Sequence, residues 1–375
     1  MKLVVLGLSL GSSWGNGHAT TWRALLAAFA ARGHDILFLE RAVPWYAGDR
    51  RDLADPGFCR LAFYDGLADL ARWRGEIADA DAVIVGSYVP EGVAVGAWVQ
   101  RTVRRSGRGV VAFYDIDTPV TLAKLAAGDT EYLAPALIPG YELYLSFTGG
   151  PTLDRLERDH GAPAARPLYC SVDPAAYRPL ALAPRWDLSY LGTYSPDRQP
   201  TLERLLIDPA RAAPDLRFVV AGPQYPDTID WPGNVARIEH VPPAEHPAFY
   251  GRSRFTLNVT RADMIAAGWS PSVRLFEAAA CGTPLVSDAW EGLDTLLAPG
   301  HEILLARDAA EVLAALRTPE PARRRLADAA RARVLAAHTA AHRAAELEGH
   351  LDEARARGRR DQTPRRMTAV PSPVE

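Results

Sequence analysis

The chain has very little cysteine: three residues in 375, Cys59, Cys170 and Cys281. They lie far apart and in no CxxC or Cys/His spacing. That excludes a disulfide scaffold and a structural zinc site, and fits reduced thiols in a cytosolic protein. An excess of either charge is also missing, since 42 Lys and Arg stand against 45 Asp and Glu, a formal net charge of −3. Such a balance leaves no broad positive face for nucleic acid. Long apolar runs are absent too. The N-terminal run in MKLVVLGLSLGSSWGNG is too short to span a bilayer and leads into a Gly/Ser loop. It predicts a buried first strand and not a signal peptide, so no stable membrane insertion and a cytoplasmic location are expected. Only the end is locally basic, with Arg355, Arg357, Arg359, Arg360, Arg365 and Arg366. This reads as a solvated helix end running into a disordered tail over 351–375, and not as a membrane tether.

What is present describes a globular protein with room for two α/β domains, 48% hydrophobic and 23% charged. Leu3–Leu8 predicts a strand buried on both faces. A loop over Ser9–Gly17 follows, then a helix with the stripe Trp22, Leu25, Leu26 and Phe29 that stops at Gly33. Further strands are expected at Ile36–Leu39, Ala82–Gly86, Val110–Phe113 and Leu143–Phe147, with helices at Glu91–Ser106 and from Thr152. The proline-rich segment YCSVDPAAYRPLALAP interrupts this rhythm and places a linker at 171–184, between an N-terminal domain over 1–170 and a C-terminal one over 185–350. Strands at Leu188–Leu191, Arg217–Ala221, Phe255–Val259 and Leu285–Ser287 then alternate with helices at Pro200–Ile207 and Pro271–Cys281. One or two helices over Pro319–Arg357 close the chain. The expected fold is α/β: two Rossmann-like, doubly wound domains facing across a cleft, with ligand at the carboxyl ends of the strands.

The segment SPSVRLFEAAACGTPLVS (270–287) carries the most chemistry. Ser270 is a candidate helix cap, with Pro271 at the first helical position. Free N–H groups and the positive end of the dipole at that start would seat a diphosphate, and Ser272 and Arg274 in the first turn would bind it. Glu277, three residues beyond Arg274, shares its face and can accept hydrogen bonds from a ribose diol. A solvated helix face is the alternative reading of Arg274 and Glu277. Cys281, without a basic neighbour, reads as a small core hydrophobe.

RLFEAAACGTPLVSDAWEGLDTLL, followed by GHEILLARDAAEVLAAL, resembles the C-terminal domain of GT-B glycosyltransferases of the GT4-like superfamily. Within it, the CgeB-like, spore-maturation-type subgroup is the nearest. The pieces LSYLGTYSPDRQPTLERLL, RFVVAGPQYP and NVARIEHVPPAEHPAFYGRSRFTLNVTR follow the family's order, and the likeness covers about 186–345. It implies a transferase that moves sugar from a nucleoside-diphosphate sugar, a co-substrate and not a bound cofactor, to an acceptor hydroxyl. It matches Glu277 to the glutamate that holds the donor ribose and places Arg198 near the diphosphate, with Gly192 allowing close backbone approach. Arg198 also fits an ordinary polar turn beside Asp197. Many members carry a second acid eight residues earlier; here that position is Trp269, so the stereochemical outcome is left open.

In the first half, Gly11, Gly15 and Gly17 line the loop ending GNGHATTW. Gly17 is a candidate acceptor contact. His18, opening the next helix, is a candidate base for the acceptor hydroxyl, or else a helix-cap residue. Asp115 and Asp117 in FYDIDTPVT would orient His18, or take its place as base in the case of Asp115. Asp117 would bind the acceptor or cap the next helix. No ligand spacing suggests a metal. Three rivals remain: an NAD(P)-dependent oxidoreductase, a nucleotide-sugar epimerase or hydrolase on the same fold, and an inactive sugar-binding module. The first rests on GNGHAT and on Glu40 as ribose acid. Against it, about ten residues separate the first strand from its helix, and Thr20 replaces the third glycine.

Overall fold

The computed structural model describes residues 1–14 and 17–362, with side chains up to 358. Gly15, Arg365 and Arg366 lie outside the described residues, as do the side chains of Arg359 and Arg360. Among the described residues the strands form two parallel sheets. The first contains β1 (Lys2–Gly7), β2 (Asp35–Arg41), β3 (Arg60–Tyr64), β4 (Ala82–Gly86), β5 (Val110–Asp115), β6 (Leu143–Ser146) and β7 (Ala165–Pro167), in the order β3-β2-β1-β4-β5-β6-β7. The second contains β8 (Trp186–Leu191), β9 (Phe218–Ala221), β10 (Val235–Ile238), β11 (Ser253–Asn258), β12 (Leu285–Ser287) and β13 (Leu304–Leu305), in the order β10-β9-β8-β11-β12-β13. Each sheet reverses its winding once, between β1 and β4 and between β8 and β11. The carboxyl ends of the strands at those two points are where an open α/β sheet takes ligand.

Burial on both faces explains the continuous apolar runs. Along β1, Leu3 and Val5 pack with Trp22, Leu25 and Phe29 of the helix His18–Ala31. Val4 and Leu6 pack on the opposite side with Val95 and Val99 of the helix Gly92–Ser106. Strands β3, β7, β10 and β13 were not legible in the sequence. All four edge their sheets: β3 and β10 are short and only partly buried, β7 ends on a proline, and β13 is two residues long. Central strands are long and apolar because they are covered twice; edge strands are not.

Two differences from expectation concern the C-terminal half. The helix expected from Pro271 begins at Val273, with Ser272 in extended conformation before it. Ser270 does not cap it: its hydroxyl bonds Thr148 Oγ1 of the first domain at 2.9 Å. The tail expected over 351–375 is replaced as far as 362, where the helix Ala340–Gln362 continues; residues 363–375 lie outside the described residues. This helix crosses back onto the first domain, packing on the helix His18–Ala31 and on β5 and β6. Leu347, Leu351 and Ala354 are buried there, Arg32 pairs with Glu348, and Arg355 reaches Asp81 at 2.7 Å.

The chain therefore passes between the domains twice, and the two passages touch. Val172 in the linker bridges Thr339 just before the last helix: Val172 N–H donates to His338 O at 3.3 Å, and Ala340 N–H to Val172 O at 2.8 Å. A further contact joins Gly149 N–H to Trp269 O at 3.0 Å. Trp269 itself has φ +41°. Its ring is wedged where a Cβ on Gly150 would fall 2.5 Å away, and one on Gly292 2.4 Å away.

Candidate active site

A cavity of about 470 Å³ lies between the carboxyl ends of the two sheets. The first domain contributes residues that follow β1, β4 and β5: Gly17, His18, Tyr88 and Asp117. The second contributes Gly192, Arg198, Arg261, Ser272, Arg274 and Glu277. Asp115, the candidate fallback base, is held back from this cavity. Gly11 is likewise turned inward, its N–H donating to Glu40 at 2.9 Å.

On the second domain's side, the N-terminus of the helix Val273–Ala280 faces the cavity through Ser272, Val273 and Arg274. Arg274 is buried and pinned. Its Nε donates to Leu191 O at 2.6 Å, its Nη1 to Asn258 Oδ1 at 2.9 Å, and its guanidinium lies over the Tyr190 ring. Ser272 Oγ donates to the same Asn258 oxygen at 2.8 Å. Asn258 in turn donates to Ser287 Oγ and Thr260 Oγ1, which both bond Asp288. A buried network so fully bonded fixes the arginine rigidly before any anion arrives. Arg198 donates from Nη2 to Thr193 O at 2.6 Å, while its buried Nε has no partner among the described residues.

Glu277 lies deep in the wall, 3% exposed. Burial alone would raise its carboxyl, but His246, 3.6 Å away, and the Tyr250 hydroxyl, donating at 3.2 Å, outweigh it and hold the group below its usual range. His246 is held by Val241 O on Nε2 and by the Tyr177 hydroxyl on Nδ1, both at 3.1 Å. A carboxylate kept charged in such a place can accept hydrogen bonds from vicinal hydroxyls.

The turn after β8 meets the turn after β9 closely. Gly222 has φ +144°, and a Cβ there would fall 2.0 Å from the Gly192 carbonyl oxygen. Gly222→Ala is expected to destabilise the protein by about 1–3 kcal/mol and to weaken ligand binding in the cavity. An unchanged thermal midpoint would contradict this reading of the turn.

On the first domain's side, His18 begins its helix with the ring edge-on to Tyr88, centroids 5.3 Å apart, and Nε2 lies 4.0 Å from Asp117 Oδ2. Burial holds the imidazole below its ordinary value, and Asp117 acts in the opposite sense. Asp115 is fully buried beneath. It accepts from Tyr144 at 2.6 Å, from Thr121 Oγ1 at 2.8 Å and from Asp117 N–H at 3.2 Å, and burial pushes its carboxyl up to about 6. A side chain so enclosed cannot reach an acceptor; it braces the turn that presents Asp117. Glu40 is also spent inside the fold, accepting from Leu10 N–H at 2.7 Å as well as from Gly11. That removes the acid a dinucleotide-binding site would need for its ribose.

Sequence reading overlooked Arg261, His246, Tyr250, Asn258 and Tyr88. Arg261 alone had a local signal, an arginine directly after a buried strand. The others are brought in by tertiary contacts. Among the described residues, no group of three or more His, Cys, Asp or Glu side chains is arranged to hold a metal. No helix there is long and apolar enough to cross a membrane.

Residues 198–349 match the glycosyl transferase-like family. No curated protein matches the chain. Among solved structures it is similar to a sucrose-phosphate synthase from Thermosynechococcus elongatus, with TM-score 0.69 and 16% identity over 95% of this chain and 100% of that one. It is similar also to HepE of Anabaena in complex with UDP-glucose, with TM-score 0.70 and 14% identity over 94% and 100%. An α-glucosyltransferase in complex with UDP gives TM-score 0.69 and 12% identity over 94% and 100%. The glycosyltransferase expected from the sequence is borne out at this level: residues 198–349 form a glycosyl transferase-like domain, in a chain with the two-domain GT-B fold.

Proposed function

We propose that the chain transfers a sugar from a UDP-sugar to an acceptor hydroxyl, as a cytoplasmic member of the CgeB-like subgroup. The observation that carries this reading is Glu277: a buried carboxylate kept ionised in the wall of a cavity that also holds three guanidinium groups, Arg198, Arg261 and Arg274. Carboxylate beside cations is the pattern a nucleoside diphosphate requires, with ribose hydroxyls on the acid and phosphates on the arginines. UDP is the nucleotide named with the similar HepE and α-glucosyltransferase structures, and that likeness supports its choice.

The roles follow from position. Glu277 accepts from the ribose hydroxyls. Arg274, Arg198, Ser272 and the helix N-terminus bind the diphosphate, and they bind it more strongly as charge grows on the leaving group. Gly192 lets the backbone approach. His18 takes the acceptor proton, for which burial keeps its imidazole neutral near pH 7. Gly17 and Asp117 border the acceptor. Trp269, in the place of the missing first acid, does not line the cavity and packs between Gly150 and Gly292. It contributes nothing polar to the transferred sugar.

The test is a thermal-shift series with UDP, GDP, dTDP and ADP, in which UDP is expected to raise the midpoint most. The arginines supply the charge a metal would bring, so turnover is expected to survive excess EDTA. Loss of turnover restored by Mg²⁺ or Mn²⁺ would overturn the metal-free mechanism. Incubation with the donor alone separates an epimerase, which isomerises it, from a transferase awaiting its acceptor.

A further inference from the structure

Arg261 follows β11 and precedes the short helix Ala262–Ala267. Its guanidinium stands between two carboxylates from different domains. Nη1 lies 3.8 Å from Asp117 Oδ2 of the first, and Nε lies 3.7 Å from Asp197 Oδ2 of the second. Neither distance is that of a hydrogen bond. The buried Nε has no hydrogen-bond partner among the described residues, although the side chain lines the cavity. Both acids have other business. Asp197 accepts from Ala262 N–H at 3.1 Å and from Ser195 Oγ, and Asp117 Oδ2 stands 4.0 Å from His18 Nε2. A guanidinium carries five N–H donors in a rigid fork. Leaving one buried and unpaired is costly, so the arrangement stores a demand for an acceptor group.

Resting on the UDP-sugar reading above, we infer that Arg261 couples the two halves of the cleft: the donor diphosphate draws it off Asp117, and the freed Asp117 then pairs with His18. Arg274 cannot do this, since Leu191 O and Asn258 hold it in place. Arg198 lies wholly within the second domain's network. Arg261 is the cavity-lining guanidinium whose partner belongs to the opposite domain. Its departure removes a cation from beside Asp117 and leaves that carboxylate to hold His18, the proton acceptor, toward the cleft. Donor binding thereby prepares the acceptor side.

A double-mutant cycle read by UDP calorimetry tests this. Arg261→Gln is expected to weaken UDP binding by roughly 10–100-fold, the range of charge-assisted hydrogen bonds. Asp117→Asn removes the competing carboxylate and is expected to tighten UDP binding several-fold in the wild-type background, but not in Arg261→Gln. Equal effects of Asp117→Asn in both backgrounds, or wild-type affinity in Arg261→Gln, would overturn the coupling. Should Arg261→Gln unfold, Arg261→Lys keeps the charge without the fork and is expected to retain an intermediate affinity. A wild-type protein that fails to bind UDP would instead sink the function proposed above, so the two failures are distinct.

Discussion

His18→Ala is expected to lower turnover by roughly 10²–10⁴-fold, the usual contribution of a positioned general base, while leaving UDP affinity nearly intact. His18 faces the cavity from the first domain, and the side chains proposed above to bind the nucleotide come from the second. On that reading binding and proton transfer are separable by mutation. The imidazole suits the task because burial disfavours its charged form, so the ring is free to accept a proton at neutral pH. The pH dependence has a definite sign: activity should fall on the acid side as the ring protonates, and should do so below the ordinary histidine range. Paired calorimetry and turnover decide the matter. If His18→Ala turns over at the wild-type rate with its true acceptor, the histidine is only part of the helix start.

The second large effect is expected at Glu277. Glu277→Ala should weaken UDP binding by about 1.5–3 kcal/mol, since the ribose hydroxyls lose a charged acceptor. It is a cleaner probe than Arg274→Ala, which would also cut the bonds to Leu191 and Asn258 that shape the cavity wall. Glu277→Gln keeps volume and one acceptor oxygen, so it should lose less affinity than Ala. The loss must appear in a protein that still melts cooperatively, because Tyr250 and His246 lean on the same carboxylate. Unchanged nucleotide affinity in a folded Glu277→Ala protein would refute the ribose assignment.

How far the site was legible depended on whether its signal was local. Arg274 and Glu277 share one short helix and were read together, and His18 follows a glycine-lined loop. Both features are written in consecutive residues. The helix start was misplaced by two residues because Ser270-Pro271 has the composition of a cap and first position, whereas the Ser270 hydroxyl is claimed by Thr148, 122 residues away. Asp115 was expected as a fallback base and Asp117 as an acceptor contact or cap, both on the cleft side. A turn separates them, so one is sealed under Tyr144 and the other meets the cleft. Asn258, Tyr250 and His246 carry no signature, because each acts through a partner that only packing supplies. For the fold, the doubly covered central strands were plain and the edge strands were not.

The return of the helix Ala340–Gln362 to the first domain has a consequence for how the chain is made. Tyr114 on β5 and Leu145 on β6 share one core with Leu347 and Leu351, yet those leucines leave the ribosome about 200 residues later, roughly 10–40 s at ordinary synthesis rates. Through that interval the part of the nascent first sheet's face around β5 and β6 lacks its cover. The first domain to emerge is consequently completed only after the second, and the helix Ala340–Gln362 sets the moment at which this part of the first sheet stops exposing apolar surface to chaperones.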